Sequence, residues 1–122
     1  MTETKIYVGL NDSQTMKQEH DTAQYVSVLK TVCKNYHIGF SLYLAQGGYM
    51  NEDGEYTEEL TLVITLIDTD REIIHEIADD LCVFFHQECV LITDDSVEAY
   101  YLSPDLSGLD TSDEEERKSE KT

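Results

Sequence analysis

The sequence predicts an α+β fold: a ferredoxin-like split βαββαβ sandwich, with an antiparallel sheet, two helices on one of its faces and a short extra C-terminal strand. Three observations predict it. Residues 40–50 and 58–68 are two apolar-alternating runs on either side of Asn51-Glu52-Asp53-Gly54. In the second run Leu60, Leu62, Ile64 and Leu66 fall on one face and Thr61, Val63, Thr65 and Ile67 on the other, the period-two spacing of a strand with one fully apolar face. Two further stretches carry apolar residues at three- and four-residue steps, and the four strand-like and two helix-like stretches alternate as β-α-β-β-α-β.

In chain order, residues 5–10 (KIYVGL) read as the first strand, with Ile6 and Val8 on one face and Tyr7 on the other, ended by the turn chemistry of Asn11-Asp12-Ser13. Residues 14–20 are polar and read as a loop or an irregular helical start. A helix follows over 22–36, with Asp21 or Thr22 as N-cap and a stripe of Tyr25, Val26, Leu29, Val32, Cys33 and Tyr36. Gly39 fits the break after it. The hairpin comes next, with Asp53-Gly54 supplying positive φ at the reversal, and Gly47-Gly48 predicts a bulge or a close backbone approach in its first strand. A second helix spans 70–86, opened by Thr69-Asp70-Arg71-Glu72 in the form of a capping box, with Ile74, Ile77, Ala78, Leu81, Phe84 and Phe85 buried. A strand at 89–93, a turn at Asp94-Asp95-Ser96 and a final strand at 97–102 complete the domain before Pro104.

At 122 residues the chain predicts one domain, over 1–104, followed at 105–122 by a Ser, Asp, Glu and Lys stretch with little to bury, expected to be disordered. Charge is the outlying property: 26 acidic residues against 8 basic, a net of −18. Residues 103–122 hold only seven of the acids, so 1–102 carry 19 acids against five bases, and from Glu72 to Glu116 there is no Lys or Arg. Such a domain repels nucleic acid and anionic membranes and is attracted to basic surfaces. No apolar run approaches the roughly 20 residues that span a bilayer. No signal peptide opens the sequence, so a cytoplasmic location is expected. Cys33, Cys82 and Cys89 are an odd count inside apolar runs, which suits buried reduced thiols better than a disulfide framework.

Several short segments carry a resemblance. Ile6-Tyr7-Val8-Gly9-Leu10, Gly39-Phe40-Ser41, Gly48-Tyr49, Asp53-Gly54, Glu58-Glu59 and Phe85-His86-Gln87-Glu88-Cys89-Val90-Leu91 follow one another in order. In that order the chain resembles a family of small bacterial and phage domains of unknown function, some with a lipoprotein signal, over about residues 5–95. The resemblance implies the ferredoxin-like fold and no activity. The sequence departs from the family in lacking a lipoprotein signal and in its greater acidity.

Chemistry has few footholds. His75, Asp79, Cys82 and His86 recur at steps of four, three and four on one side of the second helix and are zinc-ligand types. Eleven residues of helix spread them over about 16 Å, too far for one ion, so no metal and no cofactor is expected. Carboxylate pairs at Glu58-Glu59, Asp79-Asp80 and Asp94-Asp95 follow from the composition, and Gly47-Gly48 lacks the form of a phosphate loop. Tyr7, Tyr43, Tyr49, Tyr100 and Tyr101 suit a stacking platform, but the charge argues against nucleic acid, leaving sheet packing or a protein-binding surface.

The reading favoured by charge is a non-catalytic acidic interaction protein, in its sharpest form a phage or mobile-element inhibitor that mimics nucleic acid toward a basic, nucleic-acid-handling host protein. Its partner-binding residues would be Glu52, Asp53, Glu55, Glu58 and Glu59 on the hairpin, with Asp68, Asp70, Glu72, Glu76, Asp79 and Asp80 on and before the second helix. One alternative is a small dimeric α/β enzyme or ligand binder using the open sheet face, with Tyr7, Tyr43 and His86 among its residues. Another is a structural component whose charge serves solubility. The apolar second face of the sheet predicts a homodimer.

Overall fold

The computed structural model of the chain describes residues 1–104. The tail expected at 105–122 lies outside the described residues. The elements are β1 (Thr2–Gly9), α1 (Thr22–Asn35), β2 (Ser41–Met50), β3 (Tyr56–Ile67), α2 (Arg71–Phe84) and β4 (Leu91–Ser96). They build one four-stranded antiparallel sheet in the order β2-β3-β1-β4. β3 lies between β1 and β2, the two strands that α1 connects, so the βαβ unit is split, and the ferredoxin-like arrangement is observed.

Alternation on the strands puts Ile6, Val8 and Leu10 beside Leu62, Ile64 and Leu66, all at 1 % exposure or less. Tyr25, Leu29, Val32 and Cys33 of α1 and Ile74, Ile77 and Leu81 of α2 join them in one core, with Phe85 just past α2. Each such side chain contributes about 1.5–3 kcal/mol by leaving water. Both helices therefore cover the same sheet face. On the other face Tyr7, Val63 and Tyr43 are direct cross-strand neighbours. Val63 is fully buried there, while Tyr43 is 47 % and Leu91 60 % exposed.

β1 pairs with β3 only as far as Thr61, so residues 46–50 and 56–60 project beyond the rest of the sheet as a two-stranded arm. At its tip the Asn51 side-chain oxygen accepts the N–H groups of Asp53 and Glu55, and Gly54 alone takes positive φ, at 81°. The reversal thus needs one left-handed residue, where the sequence suggested two.

Four other expectations are corrected. The expected bulge at Gly47-Gly48 is absent: Gly47 pairs with Glu59 and Gly48 with Glu58 in unbroken register. Gly48 serves a different close approach, because the Tyr56 ring lies over it; a Cβ there would stand 2.5 Å from the ring. Asp94, Asp95 and Ser96 are not a turn but the end of β4, paired with Thr4, Glu3 and Thr2. Asp94 tolerates that place because it accepts the Thr4 hydroxyl at 2.7 Å and the Arg71 guanidinium at 3.4 Å. The extra strand at 97–102 does not form: Val97 exchanges backbone bonds with Met1, and 98–102 take no strand conformation. Asp21 and Asp70 do occupy the N-cap positions of the two helices, yet neither side chain makes a capping bond, so no capping box closes at Thr69–Glu72.

One polar contact ties the helices together. The Tyr36 hydroxyl donates to Asp80 at 2.7 Å. That bond to a carboxylate, assisted by burial, pushes the Tyr36 phenol up to about 12, and burial pushes the Cys33 thiol up to about 11. Both folded values lie above those of the unfolded chain, so the stability they carry is complete below the unfolded values and is lost as pH rises through the folded ones. Stability should fall between about pH 9 and 12, and Tyr36→Phe should flatten the upper part of that fall. Denaturant midpoints across the alkaline range check it; an unchanged slope in the variant would remove Tyr36 from the account.

Candidate functional site

At one end of the sheet three chain segments meet: the exit of β1, the base of the arm, and the turn between α2 and β4. Asp12 is the clamp. Its carboxylate accepts the backbone N–H of Gln14 at 2.8 Å and of Thr15 at 3.2 Å, and its second oxygen lies 2.9 Å from His86 Nδ1. The two backbone N–H groups, then His86, hold its carboxyl below the usual carboxylate range. With Asp12 ionised, Nδ1 of His86 carries the shared proton. His86 sits in the left-handed region at φ 51°, directly after the end of α2, where Gln87 N–H closes on Cys82 O at 2.9 Å. Ser13 N–H then donates to His86 O, and the Gln87 amide donates to Asn11 O.

Glu59 is held from the other side. Its position on β3 places it on the open face, the face of Thr61 and Val63. Its Oε2 accepts Asn11 N–H at 3.1 Å, while Asn11 Nδ2 donates to Glu58 O at 3.1 Å. The carboxylate lies over Gly9: a Cβ at that position would stand 2.6 Å from Cδ and from both oxygens. Two clefts flank it. One of about 240 Å³ is lined by Asp12, Met16, Tyr49, Glu59, Glu88 and Cys89, among others. The second, of about 490 Å³, lies on the opposite side of the arm and shares Asn11 and Glu59 with the first. No Lys or Arg lines either cleft.

The eleven acids singled out in the sequence do not form one patch. Glu52, Asp53 and Glu55 are exposed at the arm tip, with Glu58 and Glu59 at its base. Asp68 lies about 33 Å away along β3, ten residues at about 3.3 Å each, where its Oδ1 accepts Thr2 N–H at 2.8 Å. Asp70 occupies the N-cap position of α2 without a capping bond, Glu72 is in its first turn, Glu76 and Asp79 are exposed along it, and Asp80 is taken by Tyr36. Of the set, only Glu58 and Glu59 reach the corner.

Among the described residues no group of three or more His, Cys, Asp and Glu side chains is placed to hold a metal ion. Of the helix constellation, His86 turns to Asp12 instead. Cys33 is buried and Cys82 half-buried, its thiol pushed up by burial, then by Cys89; Cys89 itself is exposed, against the expectation that all three are buried. It follows the chain out of the turn after α2, beyond the reach of the core. Among the described residues no helix is long and apolar enough to cross a membrane.

Residues 3–101 match the family model described as "Protein of unknown function (DUF3574)". The chain belongs to the DUF3574 family. Of the six segments that carried the resemblance in the sequence, those of Gly9, Tyr49, Glu59 and Gln87-Glu88 meet at this corner, while Gly39-Phe40-Ser41 lies at the other end of β3 and Asp53-Gly54 at the arm tip. No curated protein matches the chain. Solved structures similar to it include a phage SAM lyase in complex with S-methyl-5'-thioadenosine, 21 % identical, covering 77 % of this chain and 79 % of that one at a TM-score of 0.59. The apo state of a phage SAM lyase is 23 % identical, with 77 % and 78 % covered at 0.57. CutA of Pyrococcus horikoshii is 17 % identical, with 83 % and 88 % covered at 0.52. At these identities the likeness shows the fold that this DUF3574 chain shares with them.

Proposed function

We propose that this protein acts on a small cationic molecule of the sulfonium nucleoside class, of which S-adenosylmethionine is the first to test, at the corner around Glu59. The observation that carries the reading is the convergence of Asp12, Glu59 and Glu88 with Tyr49 on one small cleft without a basic residue. Three carboxylates on a single cleft favour a cation by Coulomb attraction that low-dielectric walls strengthen. Tyr49 adds an aromatic face of the kind that attracts cations. The phage SAM lyase neighbours, one of them with S-methyl-5'-thioadenosine, support the same ligand class.

Turnover asks more of the site than binding. Cleaving a sulfonium removes its positive charge, so a carboxylate that only holds the cation stabilises substrate more than transition state. In the step to S-methyl-5'-thioadenosine the S–Cγ bond breaks with its electron pair kept by sulfur. The four-carbon fragment leaves as an alkene when a carboxylate takes its Cβ proton, so one carboxylate must gain interaction along the reaction as that base. Asp12 is already committed to Gln14, Thr15 and His86, which leaves Glu59 and Glu88 for that work. The reading suits a cytoplasmic protein with reduced thiols and a homo-oligomer that covers Tyr43 and Leu91 of the open face.

The test is S-adenosylmethionine binding by calorimetry and its conversion to S-methyl-5'-thioadenosine by chromatography. Wild-type protein should bind, and Glu59→Gln should weaken binding about tenfold or more, the loss of one charge-assisted contact. Wild-type protein that ignores S-adenosylmethionine sinks the reading. In that case the exposed acids Glu52, Asp53 and Glu55 at the arm tip favour a second one: a nucleic-acid mimic directed at a basic host protein. That reading would be carried by capture of one nucleic-acid-handling protein at low salt and its release at high salt.

A further inference from the structure

We propose that the 490 Å³ cleft on the helix side of the arm is a binding site for the base of an unphosphorylated purine nucleoside, with Tyr56 as its stacking platform. This rests on the proposed function for the ligand class and adds where, and by what chemistry, the base is held. Tyr56 is 68 % exposed, although its ring lies against the backbone at Gly48. The missing side chain at Gly48 lets the ring lie along the arm and leave its outer face to solvent. A flat aromatic ring with one face open is what a nucleobase stacks on. Leu60, half-buried, adds apolar surface beside it.

The polar groups along the cleft favour a base that donates. Gln18 commits its amide nitrogen to His20 O at 3.0 Å and Thr22 Oγ1 at 3.1 Å, so the group it has left to offer is its oxygen. Asn11 commits one N–H of its amide to Glu58 O, which leaves it one N–H and its oxygen to offer. The Gln18 oxygen, held as an acceptor, suits the exocyclic amine of adenine, and the Asn11 amide, with one N–H and its oxygen, suits the adjoining donor–acceptor edge of a purine. Glu58 and Glu59 on the same cleft repel phosphate, so a nucleoside is favoured over its nucleotide. The two clefts share Asn11 and Glu59, so a base on Tyr56 requires the ribose to pass around the β3 edge between Tyr56 and the Glu59 carboxylate.

The experiment titrates the full chain with three probes: S-adenosylmethionine, S-methyl-5'-thioadenosine and S-methylmethionine, the last a sulfonium without a nucleoside. Tyr56→Ala should weaken the first two by about tenfold or more and leave S-methylmethionine unchanged. Thermal melting checks that this exposed substitution leaves the fold intact. If Tyr56→Ala leaves both nucleosides bound as before while Glu59→Gln releases S-adenosylmethionine, the base lies elsewhere and the inference falls with the function standing. If Tyr56→Ala releases the nucleosides and Glu59→Gln changes nothing, the base site stands and the cation site falls. Binding of S-methylmethionine without binding of S-methyl-5'-thioadenosine also overturns the inference.

Discussion

Ile64→Ala is expected to lower the free energy of unfolding by about 2–5 kcal/mol. Ile64 is fully buried near the middle of β3, opposite Ile6 on one side and Leu42 on the other. Its strand has a neighbour on each side, and its side chain belongs to the core that α1 and α2 close. Neither flanking strand can move inward without losing its own register, so the removed atoms leave a cavity rather than a collapsed site. A domain of this size holds only about 5–15 kcal/mol in total, so the variant should melt far below the parent. Urea unfolding measures it, with the slope unchanged and the midpoint lowered. A loss below about 1 kcal/mol would mean that the site repacks, outside the range typical of such truncations.

That side chain was legible from the sequence because burial follows period. Leu62, Ile64 and Leu66 repeat every second residue, and the helix stripes repeat at three and four, so the layers could be read without any knowledge of partners. The C-terminal strand was misread for a reason just as physical. Asp94-Asp95-Ser96 has the composition of a turn, and what keeps it in a strand is a hydroxyl on β1 and a guanidinium at the start of α2, remote in sequence. Gly47-Gly48 was misread likewise: the residue that fills the space over Gly48 is Tyr56, on the neighbouring strand.

The candidate site was legible only in fragments. Charge pointed to the acids as a set, yet the fold spends Asp68 and Asp80 on structural bonds and spreads the rest over the arm and α2. Asn11 and Asp12 read only as turn chemistry and Glu88 only as part of a resemblance segment, because an asparagine, an aspartate and a glutamate near turns are ordinary in an acidic chain. What joins them is tertiary. The exit of β1 and the turn after α2 are separated by more than seventy residues and meet through Asp12 and His86, with |i−j| of 74.

Gly9→Ala should separate function from fold, with an expected loss of S-adenosylmethionine affinity of about tenfold or more and little change in melting temperature. The added Cβ would lie 2.6 Å from three atoms of the Glu59 carboxylate group. That group ends a flexible side chain on the open sheet face, so it relieves the clash by rotating away, at the cost of its bond from Asn11 N–H. The backbone at Gly9 lies outside the left-handed region, so alanine adds no strain of its own. Glu59→Gln weakens the same site by removing charge while leaving the side chain in place, which makes the pair a cycle. If Gly9 acts through the seat of Glu59, the double variant should bind no worse than the weaker single variant, because a displaced carboxylate has nothing further to lose. Losses that simply add would place the role of Gly9 elsewhere, in the path of β1 into Asn11 and Asp12 rather than under the carboxylate.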